Sequence, residues 1–275
     1  MYSQGLVGLM RVEEIWGARW RCCAHPLAHR FMEISLEKQS LVVLAADINT
    51  IEGLVNIVEE VGPYISALKT HVDIIDGFDL NEWQKIVDVA KKYNLMIFED
   101  RKFADIGKIS QAQMGGIYNI RSWADLVTAH RISGPDIVDG IGAGWDSVRR
   151  VGGIFLLAQM SSRGNLLTPE YTDETITTGT ASPHVVGYIG NGSSPEEIAT
   201  LRKKVGDGRL IWTPGINLES REGSLGQQYG HPRDAIKAGA DAIIVGSGIY
   251  NSDDPAKIAL EYAKETWNAL IEREK

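Results

Sequence analysis

LMIFED (95–100), followed without a break by RKFADIG (101–107), is an apolar run that ends in charge. Near-continuous hydrophobicity of this kind suits a parallel strand covered on both faces. Working outward, seven more runs share the pattern: LVVLAAD (41–47), YISALKTH (64–71), DLVTAH (125–130), GIFLLAQM (153–160), HVVGYIG (184–190), RLIWTP (209–214) and DAIIVG (241–246). Their starts lie 23 to 32 residues apart, and most intervals contain a stretch of helical periodicity. Leu54, Ile57, Val58 and Val61 form one apolar helix face; Leu80, Trp83, Ile86, Val87 and Ala90 form another. A last helix is expected from about Pro255 to Ile271, with Ile258, Tyr262, Trp267 and Leu270 available to pack.

Eight strand–helix alternations have two main solutions, a closed barrel or an open doubly wound sheet. An open sheet predicts a glycine-rich fingerprint after the first strand, where this chain has Asp47-Ile-Asn-Thr. GIGAG (140–144) follows no strand signal and reads as a loop. The expected fold is therefore α/β, a (β/α)₈ TIM barrel over residues 41–275, preceded by an N-terminal helical extension over 1–40. Within the extension MEISLEKQ (32–39) reads as helix, and Trp16 and Trp20 are placed to pack its neighbour on the barrel. The length of 275 residues matches the ~250 of one such barrel.

Composition narrows the partners. The chain is 44% hydrophobic and 23% charged, ordinary for a globular enzyme, with a net charge of −8. A polyanion needs a basic face, so nucleic acid is not expected as a partner. The two cysteines, Cys22 and Cys23, are adjacent and read as reduced thiols of a reducing compartment. No segment approaches the ~18 apolar residues of a membrane span, so a cytoplasmic protein without a membrane partner is expected.

Barrel active sites form at the C-terminal ends of the strands. Those ends carry Asp47, Lys69 with His71, Asp100 and Lys102 with Asp105 just beyond, then His130, Ser161, Pro214 and Gly246-Ser247-Gly248. A salt-bridge layer would account for one such pair, but Lys69, Asp100, Lys102 and Asp105 together point to a site, because unpaired charge beside apolar strands is costly. Asp100 and Lys102 differ by two, so on extended backbone both side chains enter the barrel mouth. Asp105 falls in the turn before a helix starting near Gly107. An alternating Lys–Asp–Lys–Asp array suits loss of an anionic group as a carbanion develops. A fixed carboxylate presses on the leaving group, and an ammonium stabilises and then protonates the carbanion.

FEDRKFADIG (98–107) resembles the signature of the orotidine 5′-monophosphate (OMP) decarboxylases, an Asp-x-Lys-x-x-Asp after a strand. The resemblance runs from about His25 to Trp267, through LKTHVDI (68–74), SWADLVTAH (122–130), MSSRGNL (160–166), TPGINL (213–218) and LGQQYGHP (225–232), and is nearest the eukaryotic branch. It implies a cofactor-independent carboxy-lyase of pyrimidine biosynthesis, acting on a small nucleotide carboxylate as a homodimer with shared sites. It also implies that Lys102 protonates C6 of the pyrimidine while Asp100 presses on the substrate carboxylate and positions Lys102. Lys69 would hold Asp100 and a ribose hydroxyl, and Asp105 and Ile106 would reach into the partner's site. Asp47 and His71 would serve the ribose, and Ser161 the pyrimidine. Gln227 and Tyr229 would bind phosphate; Pro214, Gly246 and Ser247 would also line the substrate site. Related barrels use a similar turn with Mg²⁺; they need a carboxylate-rich shell that Lys69 fits poorly, so no metal is expected.

Two positions depart from the family. Ser247 stands where an arginine usually clamps the phosphate, and Ile109 where a threonine crosses to the partner's ribose. One reading keeps OMP as substrate, with the Ser247 backbone N–H and Arg163, Arg221 or Lys108 covering the phosphate. A second is a divergent paralogue that decarboxylates a non-phosphorylated nucleoside or heteroaromatic acid. A third, a barrel that only binds a ligand or partner, is disfavoured by retention of all four charges.

Overall fold

The computed structural model describes residues 11–219 and 229–274. Two helices, α1 (Val12–Cys22) and α2 (Pro26–Lys38), precede eight strands: β1 (Val42–Ala45), β2 (Ala67–Thr70), β3 (Met96–Phe103), β4 (Leu126–Ala129), β5 (Gly153–Leu157), β6 (Val185–Ile189), β7 (Leu210–Thr213) and β8 (Ala242–Val245). Successive strands are joined by α3 (Ile51–Val61), α4 (Leu80–Lys92), α5 (Gly107–Gly115), α6 (Ile137–Asp146), α7 (Pro169–Ala181), α8 (Pro195–Val205) and α9 (Pro232–Ala238). After β8 come α10 (Ser247–Tyr250) and α11 (Pro255–Arg273). All neighbouring strands pair in parallel and β8 pairs with β1, so the sheet closes as a barrel without a free edge.

Local chemistry explains where the helices begin. Thr168, Ser194 and Asp254 each cap a helix whose first residue is proline, accepting from the N–H of Tyr171, Glu197 and Lys257 respectively. The expected face of α3 is buried through Leu54, Ile57, Val58 and Val61. On α4 the buried stripe is Trp83, Ile86, Val89 and Ala90; Val87 lies at its margin and Leu80 is exposed. The run YISALKTH begins as a 3₁₀ turn at Gly62–Tyr64 and becomes strand only at Ala67.

GIGAG is helix, not loop: it lies within α6. Its glycines serve close crossing rather than a turn. A Cβ on Gly140 would stand 2.2 Å from the carbonyl oxygen of Gly107 in α5, one on Gly144 2.9 Å from Met114, and one on Gly142 2.5 Å from the His184 ring. Glycines four apart remove the side chains from the face that α5 presses on, which spacing alone does not separate from a loop.

The barrel interior is filled below the mouth by Phe98, Phe155 and Trp212, with ring centroids 4.3 to 5.5 Å apart. Phe31 of α2 stacks on Trp212 at 5.0 Å, and Trp16 of α1 meets Phe31 at 6.0 Å. These helices bind the end of the barrel where strands begin. Arg30 pairs with Asp125, just before β4, at 3.2 Å, and Arg19 with Asp241, just before β8, at 2.5 Å. Arg202 and Arg273 converge on the same buried Asp241, tying α8 and α11 to the N-terminal helices. With that end plugged, the opposite end is left open for chemistry.

Candidate active site

A cavity of about 420 Å³ opens at the C-terminal ends of the strands. Its floor is apolar, with Ala45, Phe98, Leu157, Ile189 and Ile244 pointing up from five strands. Above it, Asp47, Lys69, His71, Asp100 and Lys102 supply the charge. Parallel register brings them level: Ala45 pairs with Lys69, and Lys69 with Phe98.

Lys69 is the centre of this group and only 5% exposed. Its ammonium lies 3.3 Å from Asp47 Oδ1, 3.3 Å from Asp100 Oδ2 and 2.8 Å from His71 Nε2. Lys102 Nζ donates to the same Asp100 Oδ2 at 2.7 Å. Burial alone would raise the Asp100 carboxyl, but Lys69 and Lys102 outweigh it and hold the group well below the usual carboxylate range. Burial first, and Lys69 second, push the His71 imidazole below its ordinary value, which leaves Nε2 free to accept from the lysine. Burial and Lys102 lower His130 as well, although it does not line the cavity.

Asp100 and Lys102 meet, but not on extended backbone. The β3–β4 register shifts between Glu99 and Phe103, and Lys102 sits in the left-handed region at φ 49°. For a lysine that conformation costs on the order of 1 kcal/mol. Thr128 holds it: its hydroxyl donates to Asp100 Oδ1 at 2.7 Å and accepts the Lys102 backbone N–H at 2.8 Å. A bulge thus aims Lys102, and one threonine of β4 ties both functional residues together. Nothing in the spacing of DRK separates a bulge from a straight strand. Thr128 itself is legible only as a polar residue inside an apolar run, and composition does not say which face it takes.

Glu99 is a second residue that the sequence reading passes over. It is fully buried behind the site and accepts from the Thr70 hydroxyl at 2.7 Å and from the Val72 N–H at 3.0 and 3.2 Å. It therefore clamps the turn on either side of His71. Burial raises its carboxyl to about 8.

Of the other expected residues, Ser161, Pro214, Tyr229, Gly246 and Ser247 line the cavity, joined by Asn217 and Tyr250, which carry no signal in the sequence. Gln227 and Arg221 lie outside the described residues. Asp105 and Ile106 are exposed and do not line the cavity of their own chain; Asp105 Oδ1 accepts the Ile106 N–H at 2.7 Å. The carboxylate that completes the alternation within one chain is Asp47. Lys108 and Arg163 do not line the cavity either. Among the described residues no group of three or more His, Cys, Asp or Glu is arranged to hold a metal ion, and no helix is long and apolar enough to cross a membrane.

Comparison with known proteins bears on this geometry. Residues 40–262 match the model of the orotidine 5′-phosphate decarboxylase / HUMPS family. The orotidine 5′-phosphate decarboxylase of Coccidioides posadasii is 38% identical over 255 residues, covering 90% of this chain and 93% of the relative. That of Pichia kudriavzevii is 37% identical, covering 90% and 94%. Among solved structures, orotidine 5′-phosphate decarboxylase from Pyrococcus horikoshii superposes with a TM-score of 0.66 at 29% identity, over 82% of this chain and 98% of that one.

Proposed function

Because this chain belongs to the orotidine 5′-phosphate decarboxylase / HUMPS family, we propose that it converts orotidine 5′-phosphate to UMP and CO₂, a carboxy-lyase step of pyrimidine biosynthesis. The observation that carries the reading is the placement of Lys102 Nζ 2.7 Å from an Asp100 carboxylate that Lys69 also holds, at the rim of an apolar floor. The substrate ring lies on that floor with its carboxylate toward Asp100. Two anions in contact at low local dielectric repel, and this repulsion is relieved as the C6–carboxylate bond breaks and CO₂ departs. The bonding pair stays on C6, where the Lys102 ammonium stabilises it and then supplies the proton. Lys102 is left neutral and recovers its proton from water. Because Lys69 and Lys102 balance Asp47 and Asp100, the array keeps its charges without a cofactor.

Asp47 and His71 serve the ribose, Ser161 the pyrimidine, and Tyr229, Gly246, Ser247 and Gln227 the phosphate end. Asp105 and Ile106 complete the site of a second copy, so the working form is a homodimer. Asp105 is a poor member of its own chain's array and stands exposed beyond β3, which supports this arrangement. A non-phosphorylated acid gains no support from the relatives of Coccidioides posadasii, Pichia kudriavzevii and Pyrococcus horikoshii, each of which is named for the 5′-phosphate. Release of CO₂ from OMP and from orotidine by the purified protein tests the assignment. OMP turned over far more efficiently supports it; equal turnover of both, or none of either, overturns it.

A further inference from the structure

We propose that Asn217 is a specificity-determining residue of this site, its side-chain amide binding the substrate phosphate in place of a guanidinium. The inference rests on the decarboxylase reading and names the chemistry of the end of the cavity where Ser247 stands.

The segment after β7 is built to hold this side chain still. Gly215 takes φ 78°, and Gly230 bridges the turn: its N–H donates to the Gly215 carbonyl at 2.8 Å, and its own carbonyl accepts the Asn217 N–H at 2.9 Å. One residue on, the Leu218 N–H donates to the buried Tyr262 hydroxyl at 3.2 Å. The Asn217 backbone is thus pinned from both sides. Its side-chain orientation is set as well, because Oδ1 accepts the Glu219 N–H at 2.9 Å. That bond makes the other carboxamide atom the nitrogen. Nδ2 faces Gly248, lying 3.8 Å from where a Cβ on that glycine would stand, and no hydrogen bond among the described residues uses its two protons. Asn217, Ser247 and Gly248 all line the cavity.

Charge makes the donor matter. Among the described residues the cavity's cations are Lys69 and Lys102, with His71 held neutral beside them. Both ammonium groups are already engaged on Asp47 and Asp100. Lys108 and Arg163 do not reach the cavity. Among the described residues a phosphate at the β7–β8 end therefore meets neutral donors: the Asn217 amide, the Ser247 and Tyr229 hydroxyls and the backbone around Gly246. Hydrogen bonds from such donors to an ionised acceptor are strong enough to discriminate, and a preorganised amide loses little freedom in making them.

Asn217→Asp is the sharpest test, because it keeps the acceptor for the Glu219 N–H and replaces only the donor by a negative oxygen. Asn217→Ala removes both groups and reports the same contact without added charge. kcat/KM for OMP and for orotidine, and calorimetric binding of UMP and uridine, are compared in the parent and both variants. Asn217→Ala lowers kcat/KM for OMP about tenfold or more and Asn217→Asp lowers it further, while orotidine stays within about twofold. The preference for UMP over uridine shrinks in step. Adding Ser247→Arg to Asn217→Asp restores much of the loss on OMP, since a planar fork and a full charge are then supplied. Parallel losses on OMP and orotidine, or an unchanged ratio of UMP to uridine affinity, overturn the proposal. The binding arm separates the two conclusions. A parent that releases no CO₂ yet prefers UMP, and loses that preference in Asn217→Asp, sinks the decarboxylase reading and leaves this one standing.

Discussion

In the proposed reaction Lys102 acts through its ammonium, which a backbone conformation that lysine disfavours aims into the cavity. Lys102→Ala keeps the Cβ and so leaves the backbone conformation as costly as before; it leaves Asp100 held by Lys69 and Thr128, and removes both the carbanion's partner and the proton source. CO₂ release should nearly vanish while the thermal unfolding temperature stays close to the parent's. A loss below about tenfold, roughly 1.4 kcal/mol of barrier, would remove Lys102 from the role of proton donor. Glu99 offers a second test at this scale. Its carboxyl ionises near 4.5 in the unfolded chain and near 8 when folded, raised by burial and by Asp100 against the opposing pull of Thr70, Val72 and Lys69. Between those values the folded state binds the extra proton, so this group's stabilising contribution is complete below about pH 4.5 and is lost as pH rises through 8. Glu99→Gln should flatten that part of the profile. The difference in unfolding free energy between parent and variant should change by up to on the order of 4 kcal/mol from pH 5 to pH 9, read by denaturant titration. Parallel profiles would mean that Glu99 is ionised throughout.

At the scale of elements, strands were far more legible than the ways they bend or cross. Seven of the eight apolar runs contain their strand whole, because a strand covered on both faces has no polar positions to blur its ends; the exception is LMIFED, whose strand continues through the charged residues to Phe103. Charge at the ends of the runs located Asp47, Lys69, Asp100 and Lys102 for the same reason: nothing else explains lysine beside IFED. The bulge at Lys102 and the helix over GIGAG were not legible, since both depend on what a neighbouring element does. Gly140 makes the second point testable. A Cβ there would drive into backbone atoms of Gly107, at the start of α5, just after Asp105 and Ile106. Gly140→Ala should cost about 1–3 kcal/mol of stability through overpacking. It should also lower kcat per folded molecule if Asp105 takes part in catalysis, although the variant side chain lies outside the cavity. Gly142→Ala presses instead on the His184 ring, on the other side of the helix. It should show the stability loss with kcat preserved. Equal kcat in the two variants would uncouple the start of α5 from catalysis.

For the molecule as a whole, one end is sealed by aromatic packing and a buried Arg–Asp cluster, and the other carries both the cavity and an apolar rim. Ile74, Ile106, Ile109 and Ile132, in segments that follow three adjacent strands, are all exposed, Ile106 at 56% and Ile132 at 68%. Apolar side chains exposed in neighbouring segments at one end of a barrel favour association there, in line with the proposed homodimer. A two-fold axis there would carry Asp105 of each chain toward the other's cavity, as the resemblance implies. Two inactive proteins then become informative together. In the proposed dimer Lys102→Ala lacks the ammonium in its own cavity, and Asp105→Ala lacks the carboxylate it lends. In a mixed dimer one site carries both lesions and the other carries neither. Random exchange of equal amounts should return about a quarter of the parent's activity per subunit, since half the dimers are mixed and each has one intact site. Exchange is verified independently by native mass spectrometry of an isotope-labelled partner. If mixed dimers form and stay inactive, each chain completes its own site, and the alternation within it ends at Asp47.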